Sequence, residues 1–373
     1  MTRNLTAVVA GHICLDIIPQ ISGITAEQFR QTFQPGRLMV VGPAVFATGG
    51  AVSNTGLALA QLGIDVRLMG KVGADFIGEM IRQIVDTRSP GSSAGMIVDP
   101  AAHSSYTVVI SPPGIDRYFL HDPGANDTFT ADDVHYSAVG DASLFHFGYP
   151  PLMARMFLDD GIELSELLRR AKATGVTTSL DTAAPDPAAP AGRADWPLIL
   201  RRALPHVDVF LPSVEELVYM LHRSEYDRLQ AETGGDLLAA VTSQMLHDLS
   251  DELLALGPKL VGIKLGHRGF YLRTAGRNAL ADMGRARTTD LDAWANHESW
   301  QPCFRVDVVG TAGSGDSAIA GFLAALLRDL PPDEAVTMAV AVGACNVEAA
   351  DTLSGVRTWD ETRARIAAGW PRR

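Results

Sequence analysis

Short apolar runs alternate with longer amphipathic stretches along most of the chain. Residues 54–62 repeat apolar side chains at helical spacing and stop at Gly63, which suits the end of a helix. Strands that alternate with helices pair in parallel and are covered on both faces, so this pattern predicts an α/β fold. The predicted strands are residues 5–10, 64–69, 143–147, 177–180, 207–211 and 261–265, and another helix is predicted over residues 164–172.

Two stretches break this alternation. Residues 13–47 and 95–122 contain apolar or alternating runs with no helix predicted between them, and we expect them to form a small antiparallel lid. Residues 275–300 are polar and predict an irregular surface insertion. Because no repeat or low-complexity tract divides the chain, residues 1–373 are expected to form one domain that includes the lid. The runs in the lid are residues 38–41, 96–98, 106–110 and 118–121.

Charge and composition exclude several classes of partner. The chain has 31 Lys and Arg against 43 Asp and Glu, a formal charge of −12, which argues against binding to nucleic acid or to an anionic membrane surface. No stretch approaches the ~18 apolar residues that a membrane span needs. Three scattered cysteines, Cys14, Cys303 and Cys345, do not make a disulfide framework or a zinc site. A cytoplasmic protein is expected.

The strongest chemical signal lies at residues 306–330, VDVVGTAGSGDSAIAGFLAALLRDL. The valines predict a strand over residues 306–309, residues 310–315 are too rich in glycine to be helical, and a helix is predicted after Asp316. The first turn of a helix has unpaired N–H groups and attracts an anion, and glycines let a phosphate approach the backbone. This segment therefore predicts an anion-binding loop.

The loop differs from two familiar phosphate-binding motifs. A P-loop requires a lysine after its last glycine, and a dinucleotide fingerprint belongs to the first strand–helix turn. A carboxylate beside an anion-binding loop suits phosphoryl transfer, which depends mainly on positioning and on charge stabilisation. Asp316 is therefore a candidate base, although an ordinary helix cap explains that residue equally well.

A second glycine-rich helix start occurs at residues 49–56, GGAVSNTG. Asn54 lies in its predicted first turn, within reach of a ligand hydroxyl. Asp16 is a short acidic residue in an apolar run just beyond the first strand. Taken alone, either residue is more simply part of a turn or a cap. His121, at the end of the second lid segment, is a further hypothetical substrate contact.

Taken together and in this order, GGAVSNTGLALAQLG, GKVGADFIGEMI and GTAGSGDSAIAGFLAAL resemble the PfkB or ribokinase-like family of carbohydrate kinases. The resemblance covers nearly the whole chain and includes Asp16 and the stretch PSVEEL at residues 212–217. It implies a ribokinase-like fold, with a central, mainly parallel β-sheet flanked by helices and a small β-sheet lid over the sugar site.

The resemblance also implies a role for each matching residue. Asp316 matches the base that deprotonates the acceptor hydroxyl, and residues 313–315 match the anion hole for the transferring phosphate. Glu216 matches the residue that organises Mg²⁺ through water. The anion-hole positions are Gly313, Ser314 and Gly315; the sugar-binding positions are Asp16, Gly49, Gly50 and Asn54; the nucleotide-binding positions are Lys264, Gly266, Gly269 and Asn346.

Three positions depart from the family pattern. Gly310 stands where the C-terminal motif usually begins with an aspartate that helps to bind a monovalent cation, which puts potassium dependence in doubt. Ser213 replaces the usual asparagine of Asn-x-x-Glu. Residues 181–185, DTAAP, replace the Asp-x-Asn segment of many members, so this segment does not indicate which sugar is used.

These observations predict an ATP- and Mg²⁺-dependent kinase that phosphorylates a hydroxyl of a small sugar or sugar-like substrate. A nucleoside kinase of the same fold, with an adenosine-like substrate, remains an alternative. So does a catalytically silent protein that binds a sugar or a nucleotide. Exposed lid strands often pair between subunits, so a homodimer through the lid is also expected.

Overall fold

The computed structural model describes residues 4–115 and 117–373. Its strands form an eight-stranded main sheet, a four-stranded sheet and a two-stranded sheet. The strands are β1 (Thr6–Gly11), β2 (Cys14–Pro19), β3 (Ala44–Gly49), β4 (Asp65–Met69), β5 (Lys71–Gly73), β6 (Ile97–Asp99), β7 (Tyr106–Ile110), β8 (Tyr118–Asp122), β9 (Leu144–Gly148), β10 (Thr177–Leu180), β11 (Val209–Phe210), β12 (Leu260–Lys264), β13 (Phe270–Thr274) and β14 (Glu298–Gln301).

Helices cover both faces of the main sheet. They are α1 (Ala26–Thr32), α2 (Ala51–Gln61), α3 (Phe76–Arg88), α4 (Tyr136–Asp141), α5 (Ala154–Phe157), α6 (Ile162–Ala173), α7 (Trp196–Ala203), α8 (Val214–Leu221), α9 (Arg223–Thr233), α10 (Leu237–Ala240), α11 (Ser243–Leu256), α12 (Arg277–Leu280), α13 (Leu291–Trp294), α14 (Ser314–Leu327), α15 (Pro332–Asn346) and α16 (Trp359–Ala367). Among these helices, none combines the length and the apolar character that crossing a bilayer requires.

The main sheet has the strand order β14-β13-β12-β11-β10-β9-β1-β4. The six strands from β12 to β4 are parallel, and β13 and β14 add an antiparallel edge. Alternate residues of β1 enter two hydrophobic clusters: Ala7 and Val9 pack on one face, and Val8 and Ala10 on the other. This mainly parallel, helix-covered sheet confirms the predicted fold class.

The four-stranded sheet has the order β3-β2-β7-β8, is separate from the main sheet, and is built from the two segments predicted to form the lid; we call it the lid below. Two antiparallel pairs are joined by a parallel pairing of β2 with β7, so the lid is not wholly antiparallel as expected. Three details of the predicted lid segments differ from the structure. Helix α1 lies within the first segment, residues 38–41 form no strand, and β6 pairs with β5 in the two-stranded sheet.

Two local predictions were wrong. Residues 306–309 are not a strand, because they lie beside the C-terminal segment and the end of α15 with no strand to pair with; the Val309 N–H donates to the carbonyl of Val347. Residues 275–300 are not an irregular insertion. They contain α12, α13 and most of β14, and the buried Leu280 and Trp294 anchor them in the core.

Candidate active site

Functional side chains gather where strands of the main sheet end. His12 follows β1, Tyr149 follows β9, Asp181 follows β10, and Lys264 is the last residue of β12. The carboxyl ends of neighbouring parallel strands meet at one edge of a sheet, so residues far apart in sequence are brought to the same place. Ligands of open α/β sheets bind at this edge.

Asp316 reaches this edge from the first turn of α14, a helix that is apolar on most sides and therefore buried. Asp316 is 3 % exposed. The Tyr149 hydroxyl donates to both carboxylate oxygens at 2.8 Å. The Asn54 amide donates to Oδ2 at 3.1 Å and the Thr55 hydroxyl to Oδ1 at 3.3 Å. The end of β9 and the first turn of α2 thus hold the carboxylate together.

The electrostatic setting of Asp316 suits a base. Burial raises the pKa of Asp316 above its usual value, while Lys264 and the hydrogen bonds from Tyr149, Asn54 and Thr55 oppose that shift. A higher pKa gives the carboxylate a greater affinity for the proton that a base must accept.

The predicted anion-binding loop forms the start of α14. Gly313 is the N-cap residue with φ +71°, and a Cβ there would lie 2.9 Å from the Thr352 Cβ and 3.0 Å from its carbonyl oxygen. A side chain is therefore excluded at this position by both backbone conformation and space. The N–H groups of the first turn, which include those of Ser314 and Gly315, are suited to an anion. In this structure the Ser314 N–H donates to the Thr311 carbonyl at 3.3 Å, a contact that a bound anion would replace.

Lys264 lies directly beside this loop. A Cβ on Gly315 would lie 3.4 Å from the Lys264 Cδ. The Lys264 ammonium donates to Asp181 Oδ1 at 2.6 Å, and Asp181 is fully buried. Burial raises the pKa of Asp181 to about 8, with Lys264 opposing and the carboxylates of Glu216 and Asp316 adding to the rise. One ammonium thus faces three carboxyl groups. Because the raised pKa of Asp181 leaves it largely protonated near neutral pH, a further cation bound there would displace that proton.

Glu216 is held by the start of its own helix and by Thr182, which follows β10. Its Oε2 accepts from the Ser213 N–H at 2.9 Å and from the Thr182 hydroxyl at 2.7 Å. The Ser213 hydroxyl accepts in turn from the Glu216 N–H at 3.3 Å, which completes a capping box. The serine that replaces the family's asparagine therefore serves as the N-cap of α8.

The acidic residues fit a water-mediated magnesium site better than a direct one. Within residues 4–115 and 117–373, no three His, Cys, Asp or Glu side chains are arranged to hold a metal ion. Mg²⁺ usually keeps several waters and binds one or two carboxylates together with substrate phosphates. Asp181 Oδ2 is buried and has no hydrogen-bond partner among the described residues, so it and Glu216 have the donor chemistry for this mode.

A cavity of about 220 Å³ opens beside the first turn of α14. Lys264 and Gly315 line the end nearest Asp316, and Gly266 and Gly269 contribute from the turn between β12 and β13. A mostly apolar cavity with a cation and a helix N-terminus at one end suits a nucleobase joined to phosphates. Its apolar walls come from Phe270, Phe304, Val306, Val308, Ala318, Val340, Ala344 and Val347.

Asn346 is not among the residues that line this cavity. It is fully buried at the end of α15, and its Nδ2 donates to the Thr352 carbonyl at 2.7 Å. The neighbouring Ala344 and Val347 face the cavity instead. The structure thus brings Lys264 and the two turn glycines to the cavity, and it gives Asn346 a contact that braces the anion-binding loop.

Gly310 is packed too closely to carry a side chain in this conformation. A Cβ there would lie 2.9 Å from the Ala349 carbonyl oxygen and 3.0 Å from that of Ala350. The aspartate that usually begins this motif therefore has no room here without a backbone shift.

On the other side of Asp316, the lid meets the start of α2. Asp16 lies on β2, and a Cβ on Gly49 would lie 2.6 Å from its Oδ2. A Cβ on Gly50, which has φ +90°, would lie 2.6 Å from the Nδ1 of His12. The two glycines thus let the lid carboxylate and the His12 ring approach the backbone that leads to Asn54.

Two histidines complete this side of the site. The rings of His12 and His121 are 5.3 Å apart, and the His12 ring is 6.2 Å from that of Tyr149. Burial lowers the pKa of His12 to about 3, so its ring is neutral. The His121 Nδ1 is 3.0 Å from the Thr107 hydroxyl, which ties β8 to β7.

The sequence analysis gave several of these residues no role in the site. Tyr149, Asp181 and Thr182 each follow a predicted strand, and this position was the one sign that they could belong to a site. Nothing in the local sequence pattern connects them to Asp316. Thr55 is adjacent to the predicted Asn54. Asn54 itself was expected to contact a ligand hydroxyl, and in the structure its amide donates to Asp316.

Comparison with curated proteins finds distant relatives among sugar kinases. The chain is 24% identical over 368 residues to a probable chloroplastic fructokinase-6 of Arabidopsis thaliana, covering 93% of this chain and 79% of that protein. It is 22% identical over 275 residues to an uncharacterized sugar kinase of Archaeoglobus fulgidus, covering 73% and 87%.

Solved structures share the fold. A fructokinase with bound ATP from Xylella fastidiosa superposes with a TM-score of 0.71 at 19% identity, covering 98% of this chain and 99% of that one. A ribokinase from Thermotoga maritima gives a TM-score of 0.68 at 18% identity, covering 97% and 99%. The architecture is therefore ribokinase-like.

The family model described as the pfkB family carbohydrate kinase matches residues 7–359, nearly the whole chain. This range contains the lid, both glycine-rich helix starts and every residue of the site described above. The chain therefore belongs to the pfkB family of carbohydrate kinases, phosphotransferases with an alcohol group as acceptor.

Proposed function

We propose that this protein transfers the γ-phosphoryl group of ATP to a hydroxyl of a small sugar or sugar-like substrate in the cytoplasm. The observation that carries the proposal is the position of Asp316. Its buried carboxylate lies at the helix start that forms the anion-binding loop, with the apolar cavity on one side and the lid on the other. This is the place where an acceptor hydroxyl and a terminal phosphate have to meet.

In this proposal Asp316 accepts the proton of the acceptor hydroxyl. The hydroxyl oxygen forms its bond to the γ-phosphorus as the bond from that phosphorus to the ADP oxygen breaks. The backbone N–H groups of residues 313–315 donate to the oxygens of the transferring phosphoryl group, and Lys264 offsets their charge. Base catalysis and preorganised N–H donors contribute on the order of 10²–10⁴-fold and 10²–10³-fold in known enzymes.

Glu216 and Asp181 would hold Mg²⁺ on the phosphate side, mainly through water. The ion supplies charge neutralisation to the phosphates when it is bound. The unpartnered oxygen of Asp181 and the excess of carboxyl over ammonium groups at this edge support the assignment. The nucleotide base is assigned to the apolar cavity beside Lys264.

The acceptor side is formed by Asp16, Asn54 and the backbone at Gly49 and Gly50. Carboxylate and amide groups recognise sugar hydroxyls through directional hydrogen bonds. Fructokinases and a sugar kinase among the relatives support a sugar as acceptor. A solved nucleoside kinase from Methanocaldococcus jannaschii has the same fold with a TM-score of 0.64, so fold alone does not decide between the two substrates.

ADP release tests this proposal. The protein is incubated with Mg²⁺-ATP and a panel of ketohexoses, aldopentoses and nucleosides, with and without potassium because of Gly310. We expect acceptor-dependent ADP release with a sugar and none after Mg²⁺ is chelated. Turnover with nucleosides alone would favour a nucleoside kinase. Thermal stabilisation by ligands without turnover on any of them would favour a silent binding protein.

The acceptor KM is expected to depend on the ionisation of Asp16. Burial raises the pKa of Asp16 to about 6, with hydrogen bonds from Cys14 and Thr107 opposing. Below this pH the carboxyl gains a proton and loses acceptor capacity for sugar hydroxyls. Since the ionised fraction falls about tenfold from pH 7 to pH 5, the KM should rise by up to about tenfold over that range. In Asp16→Asn the KM should be high and nearly independent of pH, and an unchanged profile would contradict the assignment.

We propose that the lid also forms a homodimer contact. Val45, Phe46, Phe119 and Leu120 on its strands are between 41% and 59% exposed, an unusual density of apolar surface on so small a sheet. Light scattering of the purified protein is expected to give twice the chain mass. The double variant Phe46→Asp/Leu120→Asp should give the monomer mass, and a parent that is already monomeric would rule the contact out.

A further inference from the structure

Tyr149 is the residue of the site with the most unusual backbone. Its φ of +67° and ψ of +43° lie in the left-handed region, where bulky residues are rarely found. Gly148 precedes it, and a Cβ there would lie 2.2 Å from the Cβ of Ala51. Pro150 follows it. Packing at the end of β9 thus holds Tyr149 in a conformation that carries an energetic cost, as occurs mostly at functional sites.

This conformation brings the tyrosine hydroxyl within hydrogen-bond distance of the Asp316 carboxylate. The hydroxyl lies 2.8 Å from each of the two carboxylate oxygens, closer than the donors from Asn54 at 3.1 Å and Thr55 at 3.3 Å. Burial, followed by the neighbouring carboxylates, raises the pKa of Tyr149 well above its usual value. The hydroxyl therefore keeps its proton and remains a donor.

The carboxylate has little acceptor capacity left. Two oxygens offer about four lone-pair sites, and the contacts from Tyr149, Asn54 and Thr55 take all four. Asn54 and Thr55 lie near the start of α2, and each contacts one oxygen only, so either would have to break its whole hydrogen bond to free a site on the carboxylate. The shared bond from Tyr149 is different, because the hydroxyl can withdraw from one oxygen and keep the other.

We propose that Tyr149 is a positioning residue for Asp316: its hydroxyl orients the carboxylate and yields one of the two oxygens to the incoming acceptor hydroxyl. This inference rests on the proposed function, since it takes Asp316 to be the base. It assigns to the end of β9 a part in the reaction that neither the motif at residues 310–316 nor the family match indicates.

The charged surroundings determine what loss of this hydroxyl does. Lys264 on β12 lowers the pKa of Asp316, as do the three hydrogen-bond donors, and burial raises it. Asp181 after β10 and Glu216 on α8 add negative charge that faces Tyr149 and Lys264. His12, the ring beside Tyr149, is neutral. Removal of one donor therefore moves the pKa of Asp316 further up.

The test compares the parent protein with Tyr149→Phe, which keeps the ring and removes the hydroxyl. The kcat at saturating ATP and acceptor is measured against pH, so that the ionisation of Asp16 in the free protein has little influence. Activity requires the ionised base, so kcat falls on the acidic side. We expect the pH at which kcat reaches half of its maximum on this acidic limb to rise by about one unit. A shift of about one pH unit corresponds to the free energy that a single hydrogen bond to a carboxylate typically contributes. At higher pH, where the base is ionised in both proteins, the kcat of Tyr149→Phe should remain below that of the parent, because the carboxylate has lost the group that orients it.

Tyr271→Phe is the matched control. The Tyr271 hydroxyl also donates to a carboxylate, that of Glu298, at 2.9 Å, but it lies on the antiparallel edge of the sheet. Its pH profile should equal that of the parent. Tyr149→Asn is a second test variant, because asparagine tolerates the left-handed backbone and its side chain is too short to replace the tyrosine contact. It should show the same shift of the acidic limb.

Each outcome is decisive. An unchanged limb in both Tyr149 variants, or a kcat lowered equally at every pH, would overturn the positioning role. Asp316→Asn, assayed alongside, separates this result from a failure of the proposed function. If that variant retains turnover, Asp316 is not the base and both inferences fall. If it is inactive while the limb of Tyr149→Phe is unmoved, only the role of Tyr149 falls.

Discussion

Replacement of Asp316 by asparagine is expected to lower kcat by at least about 100-fold while the protein stays folded, because a base contributes on the order of 10²–10⁴-fold to proton abstraction. The amide has the shape of the carboxylate but little affinity for a proton. Its oxygen can still accept from Tyr149 and Thr55, and the Asn54 amide can flip to accept from the new NH₂ group. Acceptor-dependent ADP release measures the effect.

The folded state should not suffer from this change. Burial raises the pKa of Asp316, which means that the charged form is held at a cost in the native protein at neutral pH. A neutral amide removes that cost, so the melting temperature should stay the same or rise. Thermal stabilisation by Mg²⁺-ATP should persist, because the N–H groups of the loop are unchanged.

Ser317→Ala is a matched control on the same turn of α14. Ser317 is fully buried, and its hydroxyl has no hydrogen-bond partner within residues 4–115 and 117–373. Its removal should leave kcat unchanged. If Asp316→Asn kept a kcat near that of the parent, Asp316 would not be the base, and its place at the helix start would be that of a cap.

Lys264→Met is expected to give the second largest effect, a fall of about 10²–10³-fold in kcat/KM for ATP, the range seen when one preorganised electrostatic contact is removed. The ammonium is the cation beside Gly315 in the anion-binding loop, and it also faces Asp181, Glu216 and Asp316. Without it, the transferring phosphoryl group would approach carboxylates with no fixed positive charge nearby.

The same variant should lose about 2–3 kcal/mol of unfolding free energy, because it leaves a buried carboxyl without its partner. The double variant Lys264→Met/Asp181→Asn removes both members of the pair and should regain much of that stability. It should not regain activity. Urea denaturation and ATP kinetics on the same samples therefore separate the electrostatic role of Lys264 from its structural one.

Lys259→Met provides the control for this pair. The Lys259 ammonium lies 3.5 Å from Oδ1 of Asp208, another fully buried aspartate, and its side chain is 14% exposed against 12% for Lys264. Asp208 also pairs with Lys172, so the stability lost in Lys259→Met should be smaller than in Lys264→Met. This pair lies at the opposite end of the strands, so its loss should lower stability without changing the ATP kinetics. Equal losses of activity in both lysine variants would show that stability alone is responsible.

Much of the architecture was predictable because the spacing of apolar residues along the chain indicates strands and helices locally. Residues 177–180 were predicted as a strand and form β10, and the helix predicted over residues 164–172 is the central part of α6. Residues 306–309 show the limit of this reasoning. Their valines have the apolar character of a strand, but a strand needs a neighbour, and Val308 and Val309 are 59% and 64% exposed.

The candidate site also contains residues that the sequence identified and residues that only the structure revealed. Asp316 and the loop of residues 313–315 were recognisable because the glycines, the acidic residue and the helix occur within a dozen positions. The same reasoning could not show that Asn346 lies outside the cavity or that Asp181 belongs to the site. Asn346 lies next to residues that line the cavity but bonds to Thr352, whereas Asp181 pairs with Lys264, which lies 83 positions along the chain.

The sequence by itself determined the α/β fold and the family, and it predicted the anion-binding helix start and the candidate base. Each depends on residues that are close together in the chain, where backbone geometry alone relates pattern to structure. Only the tertiary structure decided that Tyr149, 167 positions from Asp316, donates to its carboxylate. That contact exists because β9 ends and α14 begins at the same edge of the sheet, and strand order and packing across the core, not local pattern, bring the two together.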